Sequence, residues 1–310
     1  MNNPIECYVS ALEVAHNSKC PSPNWQVALA MKLAEKRKPV TMINIGANKG
    51  YASIEFLQRF SKINVSSGDW YRGLRRHVKR RGHKADDRLC GTCDRCRTPL
   101  SNIADLDVHV HAIDILPTNA VTLNDLFSAF HLPAHAWNYA VVNSTSFRVS
   151  VDARLPTGYE LAAAIPRADS AWRTGTTVPS ITLDAFMSAR GIQHAHFVTI
   201  DAEGWDALVI EGAHNCLANK KVGVLEFEYH GLGFWNNDPS ENYNEPRCLR
   251  RTLQTLKSHG YACFWQGSDG RLAEASEPCW RDAFEFRGLS NLVCTHRPAF
   301  LRSFRHSHSD

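Results

Sequence analysis

Apolar residues recur along this chain with two periods, and the alternation between them outlines its organisation. Trp25, Val27, Ala28, Leu29, Met31, Leu33 and Ala34 keep helical spacing, and the run ends in a basic turn before Pro39. Val40 to Ile45 then forms a short apolar run of strand type. From Gly50 onward, Tyr51, Ile54, Phe56, Leu57 and Phe60 share one helical face. Strand, glycine-containing turn and helix make the first half of a βαβ unit. A second strand should follow within a few residues, yet strand patterning resumes only at Val108 to Asp114. Residues 61–107 therefore read as an insertion before the second strand.

The later pattern continues the same alternation. Val121 to Phe130 predicts a helix and Tyr139 to Val142 a third strand, whereas residues 144–177 are rich in Ser, Thr, Pro and Ala and carry little signal. Asp184 to Arg190 predicts a short helix stopped by Gly191. Phe197 to Ile200 is a fourth strand, leading into a helix from Trp205 to Ala213. Val222 to Phe227 is a fifth strand, and Tyr261 to Trp265 and Asn291 to Thr295 are the last strand candidates. The expected fold is α/β, a doubly wound Rossmann-like sheet, mostly parallel, with a Cys-rich insertion. Residues 1–38 form an N-terminal helical segment, 39–60 and 108–298 the main domain, and 299–310 a tail.

Composition narrows the class. A chain of 310 residues, 44% hydrophobic and 21% charged, is ordinary for a globular protein. No run approaches the ~20 apolar residues of a membrane-spanning helix. Met1 to Cys20 carries Glu6, Glu13, His16 and Asn17, and so lacks the apolar core of a signal peptide. The expectation is a soluble, cytoplasmic protein. Its ten cysteines are many, but Cys216, Cys263 and Cys294 lie in apolar contexts typical of buried free thiols, which favours a reducing compartment. The formal charge of +4 is local: Arg72 to Arg88 holds eight Lys or Arg against Asp86 and Asp87.

Two strand ends carry candidate chemistry. In Asn44-Ile45-Gly46-Ala47-Asn48-Lys49-Gly50, the glycines let the backbone turn sharply and come close to a ligand. The helix that follows offers free N–H groups to an anion. Asp114, ending the second strand, stands where an acid in doubly wound folds accepts hydrogen bonds from a ribose diol. Asn143 could meet an adenine edge, or serve only as a turn residue.

These residues resemble the FkbM-type methyltransferases. Asn44 to Gly50 is similar to the family's opening motif, an acid followed by x-Gly-Ala-Asn-x-Gly, and Asp114-Ile115-Leu116-Pro117 resembles its acid-Pro motif. Asp201-Ala202-Glu203-Gly204, running on to Gly212-Ala213, resembles its Asp-x-Glu-Gly run, and Thr182-Leu183-Asp184 its Thr-Leu-Asp element. The resemblance implies a class I methyltransferase sheet of about seven strands and S-adenosylmethionine (SAM) as cofactor. The motifs say nothing of the substrate; the leading expectation is methylation of a hydroxyl on a small molecule or glycan. Asn44, Gly46, Asn48, Gly50, Asp114 and Asn143 are then the cofactor-side residues. Asn44 departs from the family's acid but keeps an amide oxygen that can accept a hydrogen bond, and Thr199 stands where lysine is common.

Methylation of a hydroxyl needs an aligned oxygen and a base for its proton. Asp201 and Glu203, leaving the fourth strand, and Glu228 and His230, leaving the fifth, are the candidates, with Asp201 foremost. Asp201 and Glu203 could also hold magnesium. In the insertion, Cys90-Gly-Thr-Cys93-Asp-Arg-Cys96 has spacing that lets thiolates converge on zinc, with His83 or His77 near enough to complete the set. The basic run with Trp70 and Tyr71 could dock nucleic acid, but a solvated basic face is the favoured reading. The alternatives to a small-molecule enzyme are thus a nucleic-acid methyltransferase and a non-catalytic SAM-fold binding module.

Overall fold

Eight strands hydrogen-bond into one sheet in the order β10-β9-β11-β8-β7-β1-β2-β3. They are β1 (Val40–Ile45), β2 (Val108–Asp114), β3 (Ala134–Asn138), β7 (Ala195–Ile200), β8 (Val222–Tyr229), β9 (Ala262–Gln266), β10 (Leu272–Glu274) and β11 (Ser290–Thr295). The pairs β1–β2, β2–β3, β1–β7 and β7–β8 are parallel, while β11 runs antiparallel to both β8 and β9. The strand order reverses direction between β1 and β7, the place where open α/β sheets bind ligands. A small second sheet joins β4 (Ala140–Val141), β6 (Gly175–Ile181) and β5 (Arg148–Asp152). This computed structural model describes residues 11–34, 39–82, 88–97, 99–146, 148–152, 154–159, 175–235 and 248–297.

The third main-sheet strand differs from expectation. It is Ala134–Asn138, whereas Ala140–Val141 belongs to the small sheet. Tyr139 lies between them with its N–H donated to the Asp114 carbonyl, so the chain leaves one sheet for the other where a single strand was expected. The weak-signal region contributes β5 and β6, whose half-exposed alternation left little apolar pattern to read. The expected tail, residues 299–310, and most of the polar loop after β8 lie outside the described residues.

Residues 61–107 are an insertion in sequence, and among the described ones Trp70, Leu74, Val78 and Leu89 are part of the core in space. Ser66 and Asp69 form a capping box that starts the helix Ser67–Arg80. That helix buries Trp70, Leu74 and Val78 against Tyr51, Ile54, Leu123 and Phe127. The Trp70 indole N–H donates to the Lys49 carbonyl at 2.7 Å, tying the insertion to the loop after β1. Burying a Trp indole with its N–H satisfied contributes area without a desolvation penalty.

The cysteines overturn the zinc expectation. Cys90 bonds Cys96, Cys20 bonds Cys93, and Cys263 bonds Cys294 across the directly paired strands β9 and β11. Sulfur in a disulfide is not a thiolate and cannot serve as the zinc ligand expected of Cys90, Cys93 and Cys96. His83 lies outside the described residues. Cys279 is also disulfide-bonded, so among the described residues only Cys216 and Cys248 are free. Such pairs persist in oxidising surroundings, against the reducing compartment expected from the sequence. Among the described residues, no helix is long and apolar enough to cross a membrane.

The Cys20–Cys93 link closes a loop with a sequence separation of 73, which in the chain-entropy account contributes about 4 kcal/mol. Mass mapping of an unreduced, alkylated digest should therefore recover the Cys20–Cys93 and Cys90–Cys96 peptides as linked pairs, with Cys216 and Cys248 alkylated. Alkylation of Cys90, Cys93 and Cys96 together with stoichiometric zinc would restore the metal reading.

Candidate functional site

The ends of β1, β2 and β7 are tied together at Gly46. The Gly46 and Ala47 N–H groups both donate to the Ile113 carbonyl, and the Asp201 N–H donates to the Ile45 carbonyl at 2.9 Å. Gly46 has φ +76, and a Cβ there would lie 1.8 Å from the Asp201 carbonyl oxygen. Its close approach is therefore to the chain at the end of β7, where the sequence reading expected a ligand. Gly50, at φ +79, caps the helix Tyr51–Phe60, and a Cβ on it would strike Leu123 and Trp70. Both glycines shape the site through the close packing that they permit.

A pocket opens above this junction. Ile45, Ile113, Ile115, Val141, Val142 and Trp205 form its apolar walls. Asn48, Asp114, Asn119, Asp201 and Glu203 supply its polar groups, with Tyr139 and Tyr159 at the side. The Asp114 carboxylate is almost fully buried: Oδ2 accepts from the Asn48 N–H at 2.7 Å, and Oδ1 from the Leu116 N–H and the Asn119 side chain. Burial pushes its pKa up to about 6, against the pull of the Leu116 and Asn48 N–H groups. The Asn48 side-chain oxygen is buried with no hydrogen-bond partner, an acceptor that the pocket leaves unanswered.

A second group of side chains adjoins the pocket. Ligand atoms of Glu203, Glu228 and His230 lie within 4.8 Å of one another. The turn that delivers Glu203 is constrained, since Glu203 itself has φ +51, a conformation uncommon outside glycine. Gly204 follows at φ +89, and a Cβ there would meet the Leu232 carbonyl at 2.3 Å. The turns after β7 and β8 thus press against each other, which brings their side chains together. Asp206, fully buried, accepts the Gly204 and Glu228 N–H groups and links the two turns. Burial, with Glu228 and Asp201 nearby, holds its carboxyl well above the usual range.

His230 is 5% exposed, and its Nδ1 accepts the Leu232 N–H at 3.0 Å. A neutral ring so bonded carries its hydrogen on Nε2, which faces Glu228 Oε2 at 3.3 Å. Burial lowers the His230 pKa, against Asp206 and Asp201, and so favours the neutral ring. In this tautomer Nε2 carries a hydrogen, and it is buried without a hydrogen-bond partner.

The insertion reaches the same region. Arg95 pairs with Glu55 at 2.9 Å, and Glu226, Asp201 and Glu228 add to the field that raises its pKa, after Glu55. Two expected cofactor residues stand elsewhere. Asn44 is 2% exposed and donates its amide N–H to Ser53 Oγ, packing β1 against the following helix. Asn143 is exposed and donates to Glu211 Oε2, facing solvent. Asn119 was missed in the sequence: it bonds Asp114 and accepts the Gly158 N–H, bracing the carboxylate. Its place two residues after Pro117, in the first turn of the helix Pro117–Ala129, was the available signal.

The methyltransferase FkbM domain model matches residues 44–263, and the chain belongs to that family. No curated protein sequence matches it. Among solved structures, it is similar to the methyltransferase FkbM from Methylobacillus flagellatus KT at 9% identity and a TM-score of 0.40, covering 94% of this chain and 58% of that one. The chain thus spans less than two-thirds of that protein's length. Aeropyrum pernix fibrillarin, solved with natively bound S-adenosyl-L-methionine, matches at 9% identity and a TM-score of 0.33, covering 87% of this chain and 76% of that one. The O-methyltransferase from Bacillus cereus in complex with SAH matches at 10% identity and a TM-score of 0.31, covering 95% of this chain and 90% of that one.

Gly46→Ala should destabilise the protein by at least about 2 kcal/mol, because a left-handed backbone and a clash with a backbone carbonyl add. Denaturant unfolding measures this directly. A variant as stable as the parent would mean that the β1–β7 contact is looser than described.

Proposed function

We propose that this member of the FkbM methyltransferase family uses SAM to methylate a hydroxyl oxygen on a small molecule or glycan. The observation that carries the reading is the place of Glu203, which lines the pocket at the strand-order reversal and also belongs to the Glu228–His230 group. One carboxylate therefore stands between a cofactor-type pocket and a set of proton-handling side chains.

The pocket's chemistry fits SAM. Apolar walls from Ile113, Ile115 and Val141 suit a purine, and Asp114 suits a ribose diol. The partnerless Asn48 oxygen suits an ammonium group. SAM, when bound, supplies a methyl group on a sulfonium. The protein's part is to hold the acceptor and receive its proton. Glu203 is the carboxylate we assign as base, with Glu228 beside it and His230 Nε2 3.3 Å from Glu228 Oε2 without a hydrogen bond between them. Asp201, exposed at the pocket, meets the acceptor's outer part.

Nucleic acid finds less support as the acceptor. Arg72, Arg81 and Arg95 are occupied by Asp69, Asp125 and Glu55, so the basic face is partly neutralised within the chain. The disulfides favour oxidising surroundings over the cytoplasm as the place of work.

Incubation with SAM and a panel of sugars, polyols, polyketides and RNA, read as SAH released, should give turnover on a hydroxylated small molecule or glycan. On that acceptor, Glu203→Gln should lower kcat by roughly a hundredfold to ten-thousandfold while leaving the SAH dissociation constant nearly unchanged. Parent-like turnover in that variant would defeat the base assignment, and turnover confined to RNA would defeat the acceptor class.

The pocket also predicts a pH dependence. Ribose hydroxyls donate to an ionised Asp114, so ligand binding favours the ionised form. SAH affinity should be level above the Asp114 pKa of about 6 and fall by about tenfold per pH unit below it. Calorimetry across that range is the check, and affinity that rises as pH falls would contradict the role of Asp114.

A further inference from the structure

One side of the pocket is formed by a short turn after β5. Pro156 to Tyr159 is closed by the Tyr159 N–H on the Pro156 carbonyl at 3.1 Å, with Gly158 at φ +80. Gly158 is thus the third residue of a type II turn, the position that calls for glycine. A Cβ on it would lie 3.0 Å from the Lys49 side chain, so the turn packs closely on the loop after β1. Leu155, just before the turn, packs on Leu116, Val151 and Val178. Tyr159 itself lines the pocket.

Two polar groups of this turn are answered from the cofactor side. Asn119, 2% exposed, accepts the Gly158 N–H on Oδ1 at 2.9 Å and donates its Nδ2–H to Asp114 Oδ1 at 3.1 Å. Asn48 donates its side-chain N–H to the Tyr159 carbonyl at 3.4 Å and its backbone N–H to Asp114 Oδ2 at 2.7 Å. Each asparagine therefore holds the turn with one group and the carboxylate with another.

The carboxylate decides which way the Asn119 amide points. An ionised Asp114 only accepts, so the Asn119 NH2 must face it and the amide oxygen must face the turn. A protonated Asp114 would place a hydrogen among the converging donors of Asn48, Leu116 and Asn119. The amide would then lose its fixed sense, and the buried Gly158 N–H its acceptor. Leaving such a group unanswered is costly.

We propose that Asn119 is a positioning residue that couples ligand binding at Asp114 to the turn Pro156–Tyr159. The inference rests on the reading of this pocket as the SAM site. Ribose hydroxyls on Asp114 favour its ionised form, the ionised form fixes the Asn119 amide, and the fixed amide holds the turn with Tyr159 against the pocket. Coupling of this kind is reciprocal, so a turn held in place also keeps Asp114 aligned for the ligand. The charges around the pair are Asp201, whose field acts on Asp114, Glu203 on the pocket wall and Lys49 beside Gly158.

SAH is the probe, on the whole chain, and the Gly158 amide is the reporter. In backbone ¹H–¹⁵N spectra of the parent protein, saturating SAH should slow exchange of the Gly158 N–H by about tenfold, the scale of one hydrogen bond. Asn119→Leu keeps the bulk of the side chain and removes both bonds. It should weaken SAH binding by about tenfold, the low end for a hydrogen bond to a charged group, and abolish the response of Gly158. It should also raise the pH below which affinity falls above the parent's value of about 6, because the ionised carboxylate has lost a donor. A purely structural asparagine would lower affinity without moving that pH. SAH bound to the parent with unchanged Gly158 exchange overturns the coupling alone, as does a variant whose affinity falls at the parent's pH. Failure of the parent to bind SAH overturns the coupling and the pocket reading together.

Discussion

The contact between Gly46 and the Asp201 carbonyl is the constraint on which the rest of the site depends. At this point β1 and β7 come closer than any side chain on residue 46 would permit. The same few residues bind β2 through the Ile113 carbonyl. Because three strands end together, the pocket walls come from all of them, and Asp114 and Asp201 open onto one space. The packing of Gly204 on Leu232 repeats the device one strand further along and aligns Glu203 with Glu228 and His230. Glycines here act by letting backbone meet backbone, and the functional side chains are positioned as a consequence.

The insertion enters this arrangement as a clamp. Trp70 holds the Lys49 carbonyl from one side, and the Tyr51 hydroxyl reaches the Leu89 carbonyl from the other. The Cys20–Cys93 bond then ties the far end of the insertion to the N-terminal segment. Ser22, two residues beyond Cys20, donates its N–H to Gly267, between β9 and β10. The insertion is thereby tied both to the turn after β1 and to the N-terminal segment, and its Arg95 lies within the field of Glu55, Asp201 and Glu228.

Much of the parallel sheet was legible in the sequence because its strands are rich in buried apolar residues and end in recognisable motifs. Val40 to Ile45, Val108 to Asp114, Phe197 to Ile200 and Val222 to Phe227 all emerged as strands, within a residue or two of their ends. The β5–β6 hairpin did not, since its alternation is shallow and its residues are half-exposed. Cys90, Cys93 and Cys96 read as a metal knuckle because local spacing alone is ambiguous, and the deciding partner, Cys20, lies far away in sequence. Gly46, Asp114, Asp201, Glu203, Glu228 and His230 gathered where expected, at one sheet edge. Asn44 and Asn143 did not, because a polar residue at a strand end can face a neighbouring helix or solvent as readily as a ligand. The tautomer of His230 was beyond reach, since it depends on a backbone N–H two residues on.

The central claim is that one pocket, at the junction of β1, β2 and β7, receives the cofactor beside Glu203. Hydrogen exchange of the whole chain with and without SAH tests it most directly. Protection should appear in residues 45–50, 113–119, 139–142 and 201–205, and not at the amino edge around residues 191–196. Protection absent from the first set, or confined to the amino edge, would contradict the account.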